Sequence, residues 1–599
     1  MVASVKNSVI LAAAALVVAL PFIFQRRKSD GDWRPGDPVL VVVSPHFAAI
    51  RDEFGAAFSD WHREKYGQPA RIDWRAIGGT TEIMRYLASE YASAFRAWWR
   101  QTGHELPRAG GEVIFDKYFV PDVPPETDDP EERQDWERRN AAWKAFRASD
   151  NPAEVHCGID VFFGGGTYDH GVAARQGITV VPWEAGEEPE GLLTDSAGNL
   201  QLLPGLGGES WRTPYYYTAV LATFGICYNP DRLRDLGIAN EPKTWRDLVD
   251  FAYFGQIGVT DPTKSGSIAK AFETIIHSEC HRVVREAGYS LDDVRRFEAA
   301  IAKAKLPPGQ VPDGVPAAYQ EAVERGWISG VNTVRLIGAN ARYFTDGAGK
   351  VSIDTASGDT AAGISIDFYS RVQAEVTRSA DGVERLKYIT PFGGSSGGGD
   401  PISLLRGAPH RELGRRLMEF VLSTDGQKLW NYRPGEPGGP RKHALRRLPV
   451  RREFYASDDP AQAAVAAEHA RHTSDPLTDP SVDVFKLSGA FEYVPRWTSS
   501  HFSFFRILVR SMCMDAGEEL RAAWKAVNAA EAAGADASAA RAQLLALPDV
   551  PEPMTWRSAG RLASGDTMDV TREWTRFFRN SYAKARRLAE EAVRAKASE

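Results

Sequence analysis

The sequence predicts an α/β fold divided between two or more domains, on three observations. From residue 39 onward, short apolar runs alternate with stretches of helical periodicity, the order that gives parallel strands covered by helices. At 599 residues the chain is longer than one ordinary core supports. Corners rich in glycine and hydroxyl residues also recur where a strand gives way to a helix. Hydrophobic content of 43% with 25% charged residues is that of a globular chain, and a net charge of −7 leaves no nucleic-acid footprint.

Residues 1–28 hold a nearly unbroken apolar run, Val9 to Phe24, with Lys6 before it and Arg26, Arg27 and Lys28 after. That is the length of a signal-peptide core or a short membrane helix, and no small-residue cleavage site follows. The expectation is an uncleaved anchor holding the rest in the periplasm or at the cell exterior. The basic residues after the run oppose that orientation under the positive-inside rule. Residues 29–38 form a polar linker. "DPVLVVVSPH" then reads as a buried strand, "AAIRDEFGAAFSDWHREKYG" as a helix, and "ARIDWRAIGGTTEIMRYLASEY" as strand, turn and helix. Between about 91 and 155 the alternation stops, and "PPETDDPEERQDWERRNAAWKAF" reads as an acidic helical insertion. The pattern resumes with "GIDVFFGGGTYDHGVAARQ", the long strand of "YYYTAVLATFGICYNP" and the strand–helix segments up to about 430. Residues 431–599 read as a mostly helical extension. Within it "EAAGADASAARAQLLAL" suggests a solvated hairpin. Four cysteines, Cys157, Cys227, Cys280 and Cys513, are scattered without a C-x-x-C pair. This argues against structural zinc and leaves one or two disulfides open.

Four corners share one local design. Gly79, Thr80 and Thr81 follow "RIDWRAI", and Gly165, Gly166 and Thr167 follow "IDVFF". Ser265, Gly266 and Ser267 follow "IGVTDP", and Ser395 lies in the Gly-Gly-Ser-Ser-Gly run after "LKYITPF". Each sits past the C-terminal end of a strand, where open α/β sheets bind ligands. The first three run into helices, whose leading N–H groups lack intrahelical partners and favour an anion. Capping alone explains any single corner, since Ser and Thr are preferred N-caps. Four in one chain point to capture of a small polar or anionic ligand. None fits a nucleotide-binding motif.

These residues carry a family resemblance. "PKTWRDL" followed by "GVTDPTKSGS" resembles the P-x-[ST]-W-x-D-L and D-P-x-x-S-G segments of bacterial extracellular solute-binding proteins. "GICYNPDRLRDLGI" resembles their hinge strand with its Asn-Pro, and "GAPHRELGRRLMEFVLSTDGQKLW" their late helix, with Gly414 and Leu417 where Ala and Phe are usual. The resemblance covers roughly 39–455 and points to the branch that handles ferric iron, thiamine, polyamines, phosphonates and sugar phosphates. It implies a two-lobed type II periplasmic-binding-protein fold with crossover hinge strands. Lobe one would be 39–222 plus 391–430, and lobe two 223–390. It also implies a noncatalytic protein without a cofactor, closing on its solute by hinge motion and delivering it to an ABC permease.

Asp367, Tyr369 and Arg371 in "GISIDFYSRVQAE" are expected at a strand or its exit, Arg371 pairing with a phosphate or carboxylate and Asp367 accepting ligand hydroxyls. Trp211, beside Tyr215 to Tyr217, is a candidate for stacking on an organic group. An anionic or phosphorylated organic solute is the expected ligand. Ferric iron is the alternative, although the adjacent tyrosine pair of ferric-binding relatives is missing from lobe two. An anchored sensor without transport is a third reading. A hydrolase built on Ser265 or Ser267 lacks the G-x-S-x-G elbow and a placed histidine. Glu273, His277 and His281, four apart on one helix, are read as a packed or solvated face in preference to a metal site.

Overall fold

The computed structural model describes residues 33–116, 119–562 and 567–598. The apolar run from Val9 to Phe24 lies outside them, and among the described residues no helix is long and apolar enough to cross a membrane. Lobe one begins with β1 (Val39–Val43), α1 (Ala48–Tyr66), β2 (Arg71–Arg75) and α2 (Thr80–Gln101). After α3 (Pro130–Ala148) come β3 (Val161–Phe163) and α4 (Thr167–Gln176). The strand β4 (Tyr216–Tyr228) then crosses to lobe two, which holds β5 (Ile257–Thr260), α5 (Gly266–Glu286), α6 (Ala317–Asn340) and β6 (Ala341–Thr345). It continues with α7 (Ala348–Ser357), β7 (Ala362–Ile366), α8 (Asp367–Val376) and β8 (Lys387–Ile389). The strand β9 (Gly397–Leu405) returns to lobe one, followed by α9 (Arg411–Leu422) and α10 (Thr424–Asn431).

One twelve-stranded sheet runs through both lobes in the order β6-β5-β7-β4-β9-β3-β1-β2, with short strands paired off this path. β1 pairs in parallel with β2 and β3, and β5 in parallel with β6 and β7. β4 is antiparallel to β9 over residues 217–223 and to β7 over 224–228. Valine and isoleucine dominate these short strands because both faces are covered, and β1, β3, β5 and β7 are almost wholly buried. The helices cover them through apolar residues at helical spacing, as Ile50, Phe54 and Phe58 of α1 do. In lobe two α5 and α6 pack almost backbone to backbone. A Cβ on Gly326 would lie 2.5 Å from the Cys280 Cα, and one on Gly330 would lie 2.6 Å from the Ile276 Cα.

The insertion forms a small core of its own on lobe one, with Tyr91, Phe95 and Trp99 of α2 and Phe146 of α3 packed around Ile114 and Phe162. The C-terminal part is not a single appendage. Its residues up to Phe485 belong to the core of lobe one, whereas from Val494 to Ala589 they join the core of lobe two. The chain therefore passes between the lobes a third time, near residues 485–494. There Tyr493 donates to the Gly207 carbonyl of lobe one at 2.7 Å, and His277 of α5 bonds Val494. Among the last helices are α11 (Phe502–Val509), α12 (Gly517–Ala532), α13 (Ser538–Leu544) and α14 (Thr567–Ser598). The alanine-rich stretch expected to be a solvated hairpin is packed instead. Ala530, Ala537, Ala540 and Leu544 are buried, because their small side chains let α12 and α13 lie close against α14.

Candidate functional site

The direction of β4 decides where the corners lie. β3 runs the same way as β4 and ends at Phe163, level with Tyr217. β7 runs the opposite way and ends at Ile366, level with Phe224. The parallel strands of the two lobes therefore point their C-terminal ends at each other across seven residues of β4, roughly 23 Å at 3.3 Å per residue. The floor of that gap is β4 itself, flanked by β9 and by residues 448–449.

Within lobe one the corners converge. A Cβ on Gly164 would meet the His46 ring at 2.6 Å, and one on Gly165 would meet the Thr80 side chain at 2.8 Å. Both glycines have positive φ, so backbone there closes in where a side chain would stand. Within lobe two the turn before α5 receives its order from β6. Asp261 N donates to the Thr345 carbonyl at 2.8 Å, and Lys264 reaches Asp346 at 2.6 Å. Across the gap the rings of Phe47 and Phe368 stack at 6.5 Å, and the charge of Arg506, which holds the carbonyls of Pro262 and Thr263, is felt by Asp169 of α4.

Capping accounts for one corner only. Ser265 Oγ accepts from Ile268 N, at a long 3.4 Å. The N-caps of α2, α4 and α7 are Gly79, Gly166 and Gly347, and no side chain caps them. Their first-turn N–H groups carry the positive end of the helix dipole with no side chain to satisfy them. The fourth corner leads into β9, not into a helix, and Ser395 is buried, donating to the Phe224 carbonyl at 2.8 Å.

Two other expected site residues belong to the frame. Trp211 is fully buried, its Nε1 donating to the Gly397 carbonyl at 2.9 Å and its ring edge-on to Phe485, so it packs the hinge and does not stack on a solute. Arg371 is buried and paired with Asp475 at 3.2 Å, which takes its charge away from the gap. Asp367 and Tyr369 stand on the first turn of α8, at the exit of β7. Asp367 accepts from Phe368 N through Oδ1 at 2.8 Å, while Oδ2 is buried without a partner. Burial pushes the Asp367 carboxyl up to about 6, with Arg371 and Arg447 opposing.

The floor contains a group that the sequence reading missed. Arg447 is almost wholly buried, donates to Asp400, lies 3.5 Å from His46 Nε2 and stacks on Phe368 at 4.3 Å. Asp400, opposite Val220 in the middle of the gap, keeps part of its side chain exposed, 24%. Burial raises its carboxyl, but Arg447 and His46 outweigh that and hold it below the usual carboxylate range. The His46 imidazole is lowered chiefly by burial. No local pattern marks Arg447, which comes from the irregular "HALRRLPV" and reaches the gap only because Leu448 and Pro449 pair with β4. Asp400 was legible only as a carboxylate inside a glycine run.

The face of Glu273, His277 and His281 is engaged by the third crossing. Glu273 accepts from Tyr493 OH at 3.0 Å, His277 bonds Val494 and His281 bonds the Glu492 carbonyl at 2.7 Å. It is a packing surface, and among the described residues no group of three or more His, Cys, Asp or Glu is arranged to hold a metal.

Because the Asp367 carboxyl is raised, the folded state holds its proton more tightly than the unfolded chain does. The residue destabilises the fold increasingly as pH rises from about 4 through about 6. Asp367→Asn is therefore expected to be more stable than the parent at pH 7, by about 2–3 kcal/mol at 1.36 kcal/mol per pKa unit. The difference should vanish near pH 4. Thermal melts of both proteins across that range check it, and parallel profiles would refute the shift.

The described residues thus form a two-lobed α/β molecule in which helix N-termini without side-chain caps lie at the strand ends that face the crossover strand. Residues 194–438 match the model of a family described as bacterial extracellular solute-binding protein. No curated protein sequence matches the chain. Solved structures similar to it include the periplasmic binding protein AfuA of Actinobacillus pleuropneumoniae with fructose-6-phosphate bound, at 14% identity. That match covers 76% of this chain and 95% of that one, with a TM-score of 0.39. The spermidine/putrescine substrate-binding protein PotD of Streptococcus pneumoniae is 12% identical over 78% and 100%, TM-score 0.40. Iron-bound HitA of Pseudomonas aeruginosa is 14% identical over 72% and 97%, TM-score 0.36.

Proposed function

We propose that the protein captures a small anionic organic solute, phosphorylated and hydroxylated, between its lobes and delivers it to an ABC permease outside the cytoplasmic membrane. The observation that carries this reading is the opposition of uncapped helix N-termini, those of α2 and α4 against that of α7, across a floor bearing Asp400. The amides suit the anionic end of a solute, with Thr80, Thr81, Thr167 and Ser267 adding hydroxyl donors without bulk. Asp400, already paired on one side with Arg447, has capacity left to accept from solute hydroxyls. Contacts to both lobes would draw the molecule toward its closed form, since each solute group adds affinity only in that form.

Titration calorimetry with a panel of sugar phosphates, phosphonates, polyamines and ferric citrate tests the reading. Sugar phosphates or phosphonates should bind best, and preference for a polyamine or for iron would overturn it. Ser265→Tyr, which sets a ring in the corner at a cost of about 1 kcal/mol in capping, is expected to weaken binding of the preferred solute more than tenfold while unfolding stays cooperative. Unchanged affinity would remove this corner from the site.

A further inference from the structure

A second concave site lies in the C-terminal helices. A groove of about 790 Å³ runs between α14, the end of α11 and the π-helical turn Arg510–Asp515, and touches Thr263 at one end. Four of its lining side chains are arginines: Arg510, Arg572, Arg576 and Arg579. The three from α14 are spaced i, i+4, i+7 and share one helix face, opposite the buried Trp574, Phe578 and Tyr582.

Like charges at that spacing oppose helix formation unless acidic neighbours offset them. Here the offset is incomplete. Arg510 meets Asp515 only at 3.5 Å, and Arg572 meets Asp569 at 3.2 Å where both are mostly exposed. Arg579 spends its best contact, 2.7 Å, on the Asp515 main-chain carbonyl, and its closest carboxylate, Glu519, stands 3.6 Å away. Arg576 takes no hydrogen-bond or ion-pair partner among the described residues. Guanidinium groups facing one cavity with donors to spare suit a ligand that presents several anionic oxygens at once.

We infer that this groove is a phosphate-recognition site, separate from the interlobe gap, which binds a phosphate-bearing small molecule or the phosphate headgroup of an anionic lipid. The arginines grip the oxygens in bidentate fashion, Arg576 and Arg572 from α14 and Arg510 from the facing turn. The site is independent of the solute proposed for the gap, since all its residues but Thr263 come from the C-terminal helices.

The test uses the full chain with two probes, sodium pyrophosphate in calorimetry and vesicles of phosphatidylcholine with or without phosphatidylglycerol in flotation. The wild type should bind pyrophosphate beyond what sodium chloride of matched ionic strength reproduces, and the double variant Arg572→Ala/Arg576→Ala should bind it at least tenfold more weakly. Thr80→Asp, which sets a carboxylate in the interlobe gap and removes any pyrophosphate bound there, should leave the part of the binding that depends on Arg572 and Arg576 unchanged, so failure here and failure in the gap are read separately. Flotation with phosphatidylglycerol vesicles alone, lost in the same double variant, would assign the headgroup as the source. Binding equal in the wild type and the double variant, or salt-like behaviour of both probes, would overturn the inference.

Discussion

Asp475→Ala is expected to destabilise the protein by about 3–5 kcal/mol, the usual cost of removing one partner from a buried charge cluster. Asp475 is 4% exposed and serves two buried arginines. Arg446 donates to its Oδ1 at 2.7 Å and to Oδ2 at 3.2 Å, and Arg371 lies 3.2 Å from Oδ1. Asn431 of α10 holds it from the other side, donating from Nδ2 at 3.1 Å and accepting from the Asp475 amide at 3.0 Å. One carboxylate thus ties α8 of lobe two to α10 of lobe one. Without it, Arg446 keeps Glu375 at 3.1 Å and Glu384 at 3.9 Å, while Arg371 is left with the charge of Asp367. Burial raises the Asp475 carboxyl, but Arg371 and Arg446 outweigh this and hold it low, so its contribution is present above the ordinary carboxylate value and is lost as pH falls through the folded one. Urea unfolding of the parent and variant at pH 7 and in acid should show the gap closing on acidification. A variant within 1 kcal/mol of the parent at pH 7 would mean that the cluster does not tie the lobes. Arg371→Ala should follow the same pattern and should lower affinity for anionic and neutral solutes equally, as expected of a framework arginine.

The alternation of strand and helix was legible because it is local. Val39–Val43 and Ile257–Thr260 declare themselves by composition, and β4 by its length and its Asn229-Pro230 stop, where Asn229 caps the following turn by accepting from Asp231 N and Arg232 N. The corners at Gly79, Gly166 and Ser265 were legible for the same reason, since a strand end and a helix start lie within a few residues of each other. What escaped was set by tertiary contacts. Arg371 reads as free in sequence, and its partner Asp475 lies 104 positions further on in a stretch without periodicity. Arg447 and Asp400 meet only because 448–449 and β9 flank the same strand. The third crossing has no signature because residues 486–494 look like any other irregular connection. Trp211 shows the converse error, in which an aromatic near a hinge suggests a ligand while its indole N–H is already satisfied by main chain.

The third crossing makes its own prediction at Lys270, near the start of α5. Its Nζ lies 3.3 Å from Glu209 of lobe one and 3.0 Å from Glu273 of α5, above the Tyr493 ring at 3.4 Å. Glu209 also accepts from Ser396 and Glu273 from Tyr493, so one ammonium joins the return strand, α5 and the third crossing. Both carboxylates are less than 10% exposed. Lys270→Met is expected to cost about 3–5 kcal/mol, because it leaves two buried carboxylates facing each other without a cation. The pH dependence should weaken. In the parent, burial raises the Glu273 carboxyl, but Lys270, His277 and the Thr498 hydroxyl together outweigh it, so Glu273 adds stability that is lost as pH falls through its lowered value. In the variant the Lys270 charge is gone while His277 and the Thr498 and Tyr493 hydroxyls remain, so the folded value moves up and less stability should be lost on acidification. Adding Glu209→Gln should recover part of the loss by removing one of the opposed charges. Because Glu209 and Lys270 belong to different lobes, the pair exists only in this relative arrangement. The variant should therefore also populate a more open form, seen as a larger radius of gyration in solution scattering, and bind its solute more weakly in proportion to the lost closed fraction. A Lys270→Met protein that keeps the parent's acid profile and scattering curve would show that the ammonium merely fills space beside Tyr493.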